Sequence, residues 1–341
     1  MQKNIFVVDD SSTNLSMAEE VLEKQYKVIT LSSAARMFAV LEKMTPDLIL
    51  LDIEMPEMNG YEAMRQLKSN ELYAKIPVIF LTSLTDAADE AHGIELGAVD
   101  FITKPFSEPV LVNRIKNHLH IDEIIRERTA QLIRLQNSIV FTLANIVESR
   151  DANTGGHIER TTVYIDILIK GMFEHGLYVE EMSGWNLESV VSSARLHDVG
   201  KISISDTILN KPGPLTPEEF EIMKTHTSAG VKIIEQMIRR TGNVEFLQNA
   251  KLFAGYHHER WNGTGYPYGL KGLDIPLHGR ILAFVDMYDA LTTVRPYKQA
   301  MSHEAALRII EEQSGEHFDP KIAEVFSAIN ERIAAAKDNL S

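Results

Sequence analysis

The chain has 341 residues, 44% hydrophobic and 24% charged, so it is long enough for two globular domains with separate cores. It has no cysteine, which excludes disulfides and thiolate metal ligands. Its 34 basic residues against 48 acidic ones give a net charge of -14, which disfavours nonspecific binding to a nucleic-acid duplex. Without a membrane-length apolar run or the apolar core of a signal peptide, we expect a cytoplasmic protein with no membrane insertion.

Short apolar runs alternate with helical stretches through the first 120 residues. The predicted strands are 5–8, 26–29, 48–51, 78–81 and 99–102. Strands that are apolar on both faces are typical of a parallel sheet covered by helices on both sides. The pattern therefore predicts an α/β, doubly wound domain with a five-stranded parallel sheet.

Polar side chains stand where these strands end. Asp9 and Asp10 follow the first strand, Asp52 the third, Thr82 the fourth and Lys104 the fifth. In parallel sheets the carboxyl ends of the strands meet at one edge, where ligands bind. Three carboxylates at one edge repel one another unless a hard cation such as Mg²⁺ lies among them. A nearby hydroxyl and ammonium would steady a phosphoryl group on the central aspartate.

A loop with the sequence Met-Pro-Glu-Met-Asn-Gly follows at residues 55–60. Through this loop and the polar strand ends, residues 1–120 resemble the receiver domain of two-component response regulators, which has a flavodoxin-like fold. The resemblance implies that Asp52 is the phosphoacceptor for a sensor histidine kinase, and that Phe101 is the aromatic switch residue. It also implies that Mg²⁺ or the phosphoryl group is bound by Asp9, Asp10, the backbone carbonyl of Glu54, Thr82 and Lys104.

Residues 108–150 form one long predicted helix with few breaking residues. Its apolar positions are amphipathic in spacing without forming a strict heptad, and include Leu111, Ile115, Leu119, Ile121, Ile124, Ile125, Leu132, Leu135 and Ile139. Two interpretations stay open: the helix packs on its own domain, or it pairs across a homodimer. We place a receiver domain at 1–120, a helical linker at 121–136 and a second domain at 137–341.

The second half shows long helical patterns and little strand signal, so we predict an all-α domain. The predicted helices are 138–150, 159–173, 187–196, 217–240, 247–256, 279–291, 303–313 and 320–335.

Histidines and aspartates recur along this helical half. His197 and Asp198 are adjacent, and neighbouring side chains on a helix diverge by about 100°. They therefore cannot grip one ion as a compact pair, but the carboxylate can bridge to a second ion. Asp286 lies in an apolar helix, where a carboxylate is costly unless it is paired or metal-bound, and Asp289 could support it or a neighbouring group. The candidate ligands are His157, His197, Asp198, His226, His257, His258 and Asp286.

This ligand set predicts a transition-metal centre. Imidazoles with carboxylates suit Fe, Mn, Ni or Zn, and we expect Fe, Mn or Ni rather than Zn. Two ions sharing Asp198 could acidify a water and stabilise an in-line displacement at phosphorus. Cations and a hydroxyl suited to hold phosphate lie nearby in the sequence: Lys201, Tyr266, Arg295 and Lys298.

Residues 137–335 resemble the HD-GYP branch of the HD phosphohydrolases, through ordered motifs at 148–157, 197–201, 223–226, 257–267, 286–291, 295–298 and 315–320. The resemblance implies a cyclic-di-GMP phosphodiesterase that yields pGpG, GMP or both. It implies metal binding by the seven candidate ligands and phosphate contacts from Lys201, Tyr266, Arg295 and Lys298. Among these residues we expect His197, Asp198 and Lys201 to be catalytic.

The expected number of metal ions is two. Some members of the branch bind a third ion through a glutamate four residues before the first motif histidine, and this chain has Asn153 there. An amide is a neutral and poorer ligand than a carboxylate, so the third ion is not expected.

The leading hypothesis is a response regulator whose phosphorylation at Asp52 controls a cyclic-di-GMP phosphodiesterase. One alternative is a catalytically silent module that binds a cyclic dinucleotide and passes the signal on. The complete ligand set argues against this alternative. The other is an HD hydrolase of a different cyclic dinucleotide, because base selectivity depends on a pocket shape that the sequence does not show.

Overall fold

The computed structural model describes residues 2–83, 87–151, 156–294 and 299–340. The chain divides into two compact units, Met1–Leu132 and Ile133–Ser341. Among the helices in these ranges, none is both long enough and apolar enough to cross a membrane.

The first unit contains a five-stranded parallel sheet. Its strands are β1 Asn4–Val8, β2 Lys27–Leu31, β3 Leu48–Asp52, β4 Val78–Thr82 and β5 Asp100–Thr103. They lie in the order β2-β1-β3-β4-β5, and every neighbouring pair is parallel. This confirms the predicted doubly wound sheet. Because β1 and β3 are neighbours, their polar carboxyl ends are adjacent at one edge.

Helices cover both faces of the sheet. They are α1 Ser12–Leu22, α2 Ala34–Leu41, α3 Gly60–Ser69 and α4 Ala87–Glu95, followed by the start of α5 Glu108–Arg150. Side chains alternate along each strand, so Phe6 and Phe80 join one core while Val7 and Leu81 join the other. Both faces are therefore buried, as the apolar strands require.

Helix α5 is a single helix of 43 residues that crosses the boundary between the two units. Its first turns place Leu111 and Ile115 in the core of the first unit. Near its other end Val140 and Ala144 are buried within the second unit. Between these ends most side chains are exposed. The long helix was predicted, and the bounds of a linker within it, 121–136, stay a prediction.

The second unit is helical, which confirms the predicted fold class. After α5 its helices are α6 His157–Glu174, α7 Leu187–Ser193, α8 Asp206–Leu209, α9 Pro217–Thr241, α10 Glu245–Tyr256, α11 Leu277–Thr292, α12 His303–Glu312, α13 Pro320–Ala328 and α14 Asn330–Asn339. Helices α6 and α11 pack together through a core that includes Tyr164, Phe284 and Tyr288. This packing holds the first residue of α6 close to the polar residues of α11.

Two predicted helices differ from the observed ones. The stretch 320–335 is two helices, because Ile329 leaves helical geometry at ψ 13° while its side chain packs against Gly171. The stretch 187–196 is an α-helix only as far as Ser193 and tightens into a 3₁₀ turn at Ala194–Leu196. A second 3₁₀ turn follows it at Val199–Ser203. Apolar periodicity continues through both breaks, so the sequence pattern does not reveal them.

Candidate metal centre

A glycine allows the turn that carries His197 and Asp198 to reach α9. A Cβ atom at Gly200 would lie 1.9 Å from the carbonyl oxygen of His226 and 2.4 Å from the amide nitrogen of Gly230. Both neighbours are backbone atoms, so only glycine fits here. The close approach brings Asp198 next to His226.

Helix α6 contributes His157 at its first residue. The His157 amide donates to Oε1 of Glu148, at the end of α5, over 2.8 Å. Its ring Nδ1 lies 2.8 Å from Oδ2 of Asp289 on α11. These two contacts fix the position and the orientation of the imidazole, whose Nε2 is left facing the other candidate ligands.

The predicted ligands form two groups. In the first group, ligand atoms of His157, His197 and Asp198 lie within 4.8 Å of one another. The Nε2 atoms of His157 and His197 are 3.4 Å apart, and Oδ2 of Asp198 is 3.4 Å from Nε2 of His197. Asp286 lies beside this group, with Oδ1 3.7 Å from Nε2 of His157.

The second group consists of His226, His257 and His258, again within 4.8 Å. The Nε2 atoms of His226 and His257 are 3.3 Å apart. The other oxygen of Asp198, Oδ1, lies 3.4 Å from Nε2 of His226 and 3.7 Å from Nε2 of His257. The Asp198 carboxylate therefore lies between the two groups, with one oxygen toward each.

Hydrogen bonds determine which ring nitrogens carry protons. Nδ1 of His197, His226 and His257 each lies 2.8–2.9 Å from a backbone carbonyl oxygen. A carbonyl only accepts, so each Nδ1 donates, and the Nε2 of a neutral ring is then a bare acceptor. Burial lowers the pKa of His226 to about 4, so that ring is neutral near pH 7.

Facing acceptors fit a cation between them. Nε2 of His226, an acceptor in its neutral ring, faces Nε2 of His257 at 3.3 Å, and Oδ1 of Asp198 is buried without a hydrogen-bond donor among the described residues. In the other group, burial lowers the pKa of His197, but the carboxylates of Asp198 and Asp286 raise it by more. A proton therefore competes there with a metal ion, as expected for metal ligands.

Lys201 keeps the shared carboxylate ionised. Its Nζ lies 2.7 Å from Oδ2 of Asp198 and 3.1 Å from Oδ2 of Asp151. Burial alone would raise the pKa of Asp198, but Lys201 and His197 hold it well below its usual value. Burial would lower the pKa of Lys201, but the two aspartates raise it. The site therefore contains a stable ammonium beside an ionised bridging carboxylate.

The turn Gly265-Tyr266-Pro267 covers one side of the group formed by His226, His257 and His258. The ring of Tyr266 stacks on His258 at a centroid distance of 4.7 Å. Burial raises the pKa of Tyr266, so its hydroxyl remains protonated and can donate. Glu259 holds this turn by accepting the amides of Tyr268 at 2.7 Å and Leu270 at 3.0 Å. Glu259 was not predicted, although its place after two adjacent histidines was a usable signal.

Three predicted positions cannot be placed. Arg295 and Lys298, expected at the phosphate, and Asn153, expected in place of a third metal ligand, lie outside the described residues.

The strand ends of the first unit form a separate acidic site. Ligand oxygens of Asp9, Asp10 and Asp52 lie within 4.8 Å of one another. Nζ of Lys104 lies 2.9 Å from Asp9 and 2.7 Å from Asp52. Burial raises the pKa of Asp52, and Asp9 raises it further, while Lys104 lowers it. Crowded carboxylates of this kind fit a divalent cation such as Mg²⁺.

The structure also describes the other predicted residues of this unit. Thr82 is buried at the end of β4, next to the strand that ends in Asp52. The Glu54 carboxylate accepts from the hydroxyl of Ser83. Phe101 is buried against Phe80, with ring centroids 5.4 Å apart.

Family models assign both units. A model described as a response regulator receiver domain matches residues 5–116, and one described as an HD domain matches residues 141–322. The chain thus has the receiver and HD domains that its motifs predicted.

Curated relatives share this organisation over most of their length. The chain is 41% identical to a probable cyclic di-GMP phosphodiesterase of Vibrio cholerae, over 95% of this chain and 77% of the relative. It is 34% identical to the cyclic di-GMP phosphodiesterase response regulator RpfG of Xanthomonas campestris, over 93% of this chain and 85% of the relative. The chain therefore belongs to the family of these response regulators, in which a receiver domain is joined to an HD domain.

A further relative matches about half of the chain. The 3'3'-cGAMP-specific phosphodiesterase 2 of Vibrio cholerae is 40% identical over 55% of this chain and 33% of the relative.

Proposed function

We propose that the chain is a phosphodiesterase that hydrolyses cyclic di-GMP to pGpG, GMP or both, under the control of phosphorylation at Asp52. The observation that carries the proposal is the Asp198 carboxylate, which lies between two groups of facing imidazole nitrogens. Relatives that match nearly the whole chain are named as phosphodiesterases of this dinucleotide.

The proposed centre holds two transition-metal ions, with Fe, Mn or Ni preferred to Zn. One ion would be held by His157, His197, Asp198 and Asp286, and the other by His226, His257, His258 and Asp198. When bound, such ions supply Lewis acidity, which favours deprotonation of a water and offsets charge that develops on phosphate oxygens. A ligand set of imidazoles with carboxylates is appropriate for these metals.

Residues of the chain itself orient the substrate. The Lys201 ammonium is fixed by Asp198 and Asp151, so it can bind a nonbridging phosphate oxygen without reorganising. The protonated hydroxyl of Tyr266 is a second donor, on a ring held in place by His258. Arg295 and Lys298 are proposed as further phosphate ligands. His197 and Asp198 complete the proposed catalytic set because they lie at the junction of the two groups.

A different cyclic dinucleotide is a second candidate substrate. The relative that is specific for 3'3'-cGAMP is 40% identical over 55% of this chain, which is close to the 41% identity of the probable cyclic di-GMP phosphodiesterase. The two dinucleotides share the ring of two phosphodiesters, so the metal centre and Lys201 serve both equally. Only the contacts to the bases would separate them.

The receiver domain is the proposed input. A sensor histidine kinase would supply the phosphoryl group to Asp52, in a cytoplasmic protein. Mg²⁺ would be held by Asp9, Asp10 and the backbone carbonyl of Glu54. The Lys104 ammonium already contacts Asp52, so it can bind the transferred phosphoryl group. Thr82, at the end of the adjacent strand, would be the hydroxyl donor.

The exposed face of α5 is the proposed homodimer contact. Ile125, Leu132, Ile139 and Ile146 recur every seven residues, and each is more than half exposed. A coiled-coil seam has apolar residues at two positions of each heptad, and this series supplies one of the two. The positions three residues after the first three members of the series are Arg128, Leu135 and Thr142, and Arg128 donates to the side chain of Gln131 on its own helix. The proposed contact between two copies of the helix therefore rests on the four exposed apolar side chains.

Product analysis tests the proposed activity. Purified protein loaded with Mn(II) or Fe(II) without oxygen should convert cyclic di-GMP to pGpG or GMP, detected by chromatography. Asp198→Ala should lower turnover by more than about a hundredfold, because it removes a ligand from both groups. Mutation of a residue that only hydrogen-bonds to a metal ligand typically lowers activity by about 10–100-fold. Asp166→Ala, which removes a surface carboxylate of the same unit, should match wild type. Turnover of 3'3'-cGAMP but not of cyclic di-GMP would show that the proposed substrate is wrong. No turnover of either dinucleotide would contradict the proposed enzymatic activity.

Phosphoryl uptake tests the proposed input. With acetyl phosphate and Mg²⁺, the wild-type protein should gain one phosphoryl group by intact-mass spectrometry, and Asp52→Asn should gain none because an amide is a poor nucleophile. Asp47→Asn, a partly exposed carboxylate of the same unit, is the control and should behave as wild type. Equal labelling of Asp52→Asn would place the phosphoacceptor elsewhere.

Sedimentation tests the homodimer. Leu132→Glu places charges face to face in the middle of the seam and should shift the protein from dimer to monomer. Arg134→Glu alters charge more strongly at an exposed position off the seam and should leave the dimer intact. A wild-type monomer at all concentrations, or the same mass for both variants, would contradict a dimer through α5.

A further inference from the structure

The three buried imidazoles that donate to the backbone differ from His157 in their support. Nδ1 of His197, His226 and His257 donates to the neutral carbonyl oxygens of Ala194, Met223 and Phe253. Nδ1 of His157 instead donates to the Asp289 carboxylate over 2.8 Å. A carboxylate partner raises the electron density of an imidazole and makes it a stronger metal ligand.

Asp289 is held as a fixed anion. It is almost completely buried, at 1% exposure, and both of its oxygens are saturated. Arg160 contacts it through Nε at 2.6 Å and Nη2 at 3.1 Å, and Thr293 donates to it at 3.3 Å. Such a carboxylate can neither turn toward Asp286 nor bind an ion itself, so its remaining effect falls on His157.

The two groups of ligands also differ in charge. The group around His157 and His197 has the Asp286 carboxylate beside it, in addition to Oδ2 of Asp198, which the Lys201 ammonium also contacts. The group of His226, His257 and His258 consists of three imidazoles and has only the share of Asp198. Anionic ligands and an anionic outer partner both strengthen the hold on a cation.

We infer that Asp289, clamped by Arg160, is a positioning residue for His157, and that it makes the His157 group the tighter of two unequal metal positions. The inference rests on the proposed two-metal centre. One ion is then retained by the protein, while the other, in the His226 group, exchanges with the surroundings. The loaded state of the enzyme therefore follows the supply of metal for the second position.

Mn(II) binding tests the inference without using activity. Free Mn(II) is counted by its electron paramagnetic resonance signal, with excess Mg²⁺ present to fill the oxygen-ligand site of the receiver domain. Wild type should show two classes of site that differ at least tenfold in affinity. Asp289→Asn keeps an acceptor for His157 but removes the charge, and should weaken the tight class by 10–100-fold.

Two further variants make the result specific. Asp319→Asn disturbs another buried aspartate–arginine pair, in which Nη1 of Arg280 lies 3.0 Å from Oδ2 of Asp319. This pair does not include a candidate ligand, so the variant should leave both classes of site unchanged. His258→Ala removes a ligand of the other group and should weaken the loose class only. Circular dichroism melts establish that each variant is folded at the temperature of the titration.

The outcomes separate this inference from the proposed function. Equal affinities in wild type, or a tight class that Asp289→Asn leaves unchanged, would overturn the inference while a two-metal enzyme stands. Equal weakening by Asp289→Asn and Asp319→Asn would reduce Asp289 to a general stabilising residue. Wild type that binds no Mn(II) beyond the receiver site would refute the metal centre itself.

Discussion

The second unit is built around one electrostatic constraint: buried imidazole nitrogens that face each other without a donor between them. The Nε2 atoms of His226 and His257 lie 3.3 Å apart while each Nδ1 faces a backbone carbonyl, an arrangement that suits a cation between the two rings. Asp198 presents one oxygen to each group, so it is the only one of the described ligands that serves both. Lys201 keeps this carboxylate ionised and adds a positive charge beside the candidate ligands.

Each part of the fold contributes to holding this arrangement. The contact of Gly200 with α9 brings the His197–Asp198 turn to His226. The core between α6 and α11 sets His157 beside Asp289. The last turn of α5 supplies Glu148, which fixes the first amide of α6. The same helix begins in the core of the receiver unit, so one continuous element contributes both to the receiver core and to the support of a metal ligand.

The fold of the first unit and its acidic site could be predicted from the sequence, because strands with two buried faces and strand ends rich in aspartate have distinctive patterns. The two groups of histidines and aspartates were predictable because these residue types recur in ordered motifs, while their role as metal ligands stays a prediction. Their partners were not predictable: Asp289 supports His157, 132 residues away, rather than its neighbour Asp286. Apolar periodicity also concealed the break at Ile329. On α5 the buried Leu111 and Val140 obscured the seven-residue series, which becomes visible only when exposure separates it from the buried positions.

The most direct test of the shared carboxylate is anomalous X-ray diffraction from crystals of the Mn(II)-loaded protein. The account predicts two anomalous peaks in the second unit, one on each side of Asp198 and each within bonding distance of one of its oxygens. One peak would be near His157 and the other near His226. A single peak, or two peaks of which one does not touch Asp198, would contradict a centre in which this carboxylate joins two ions.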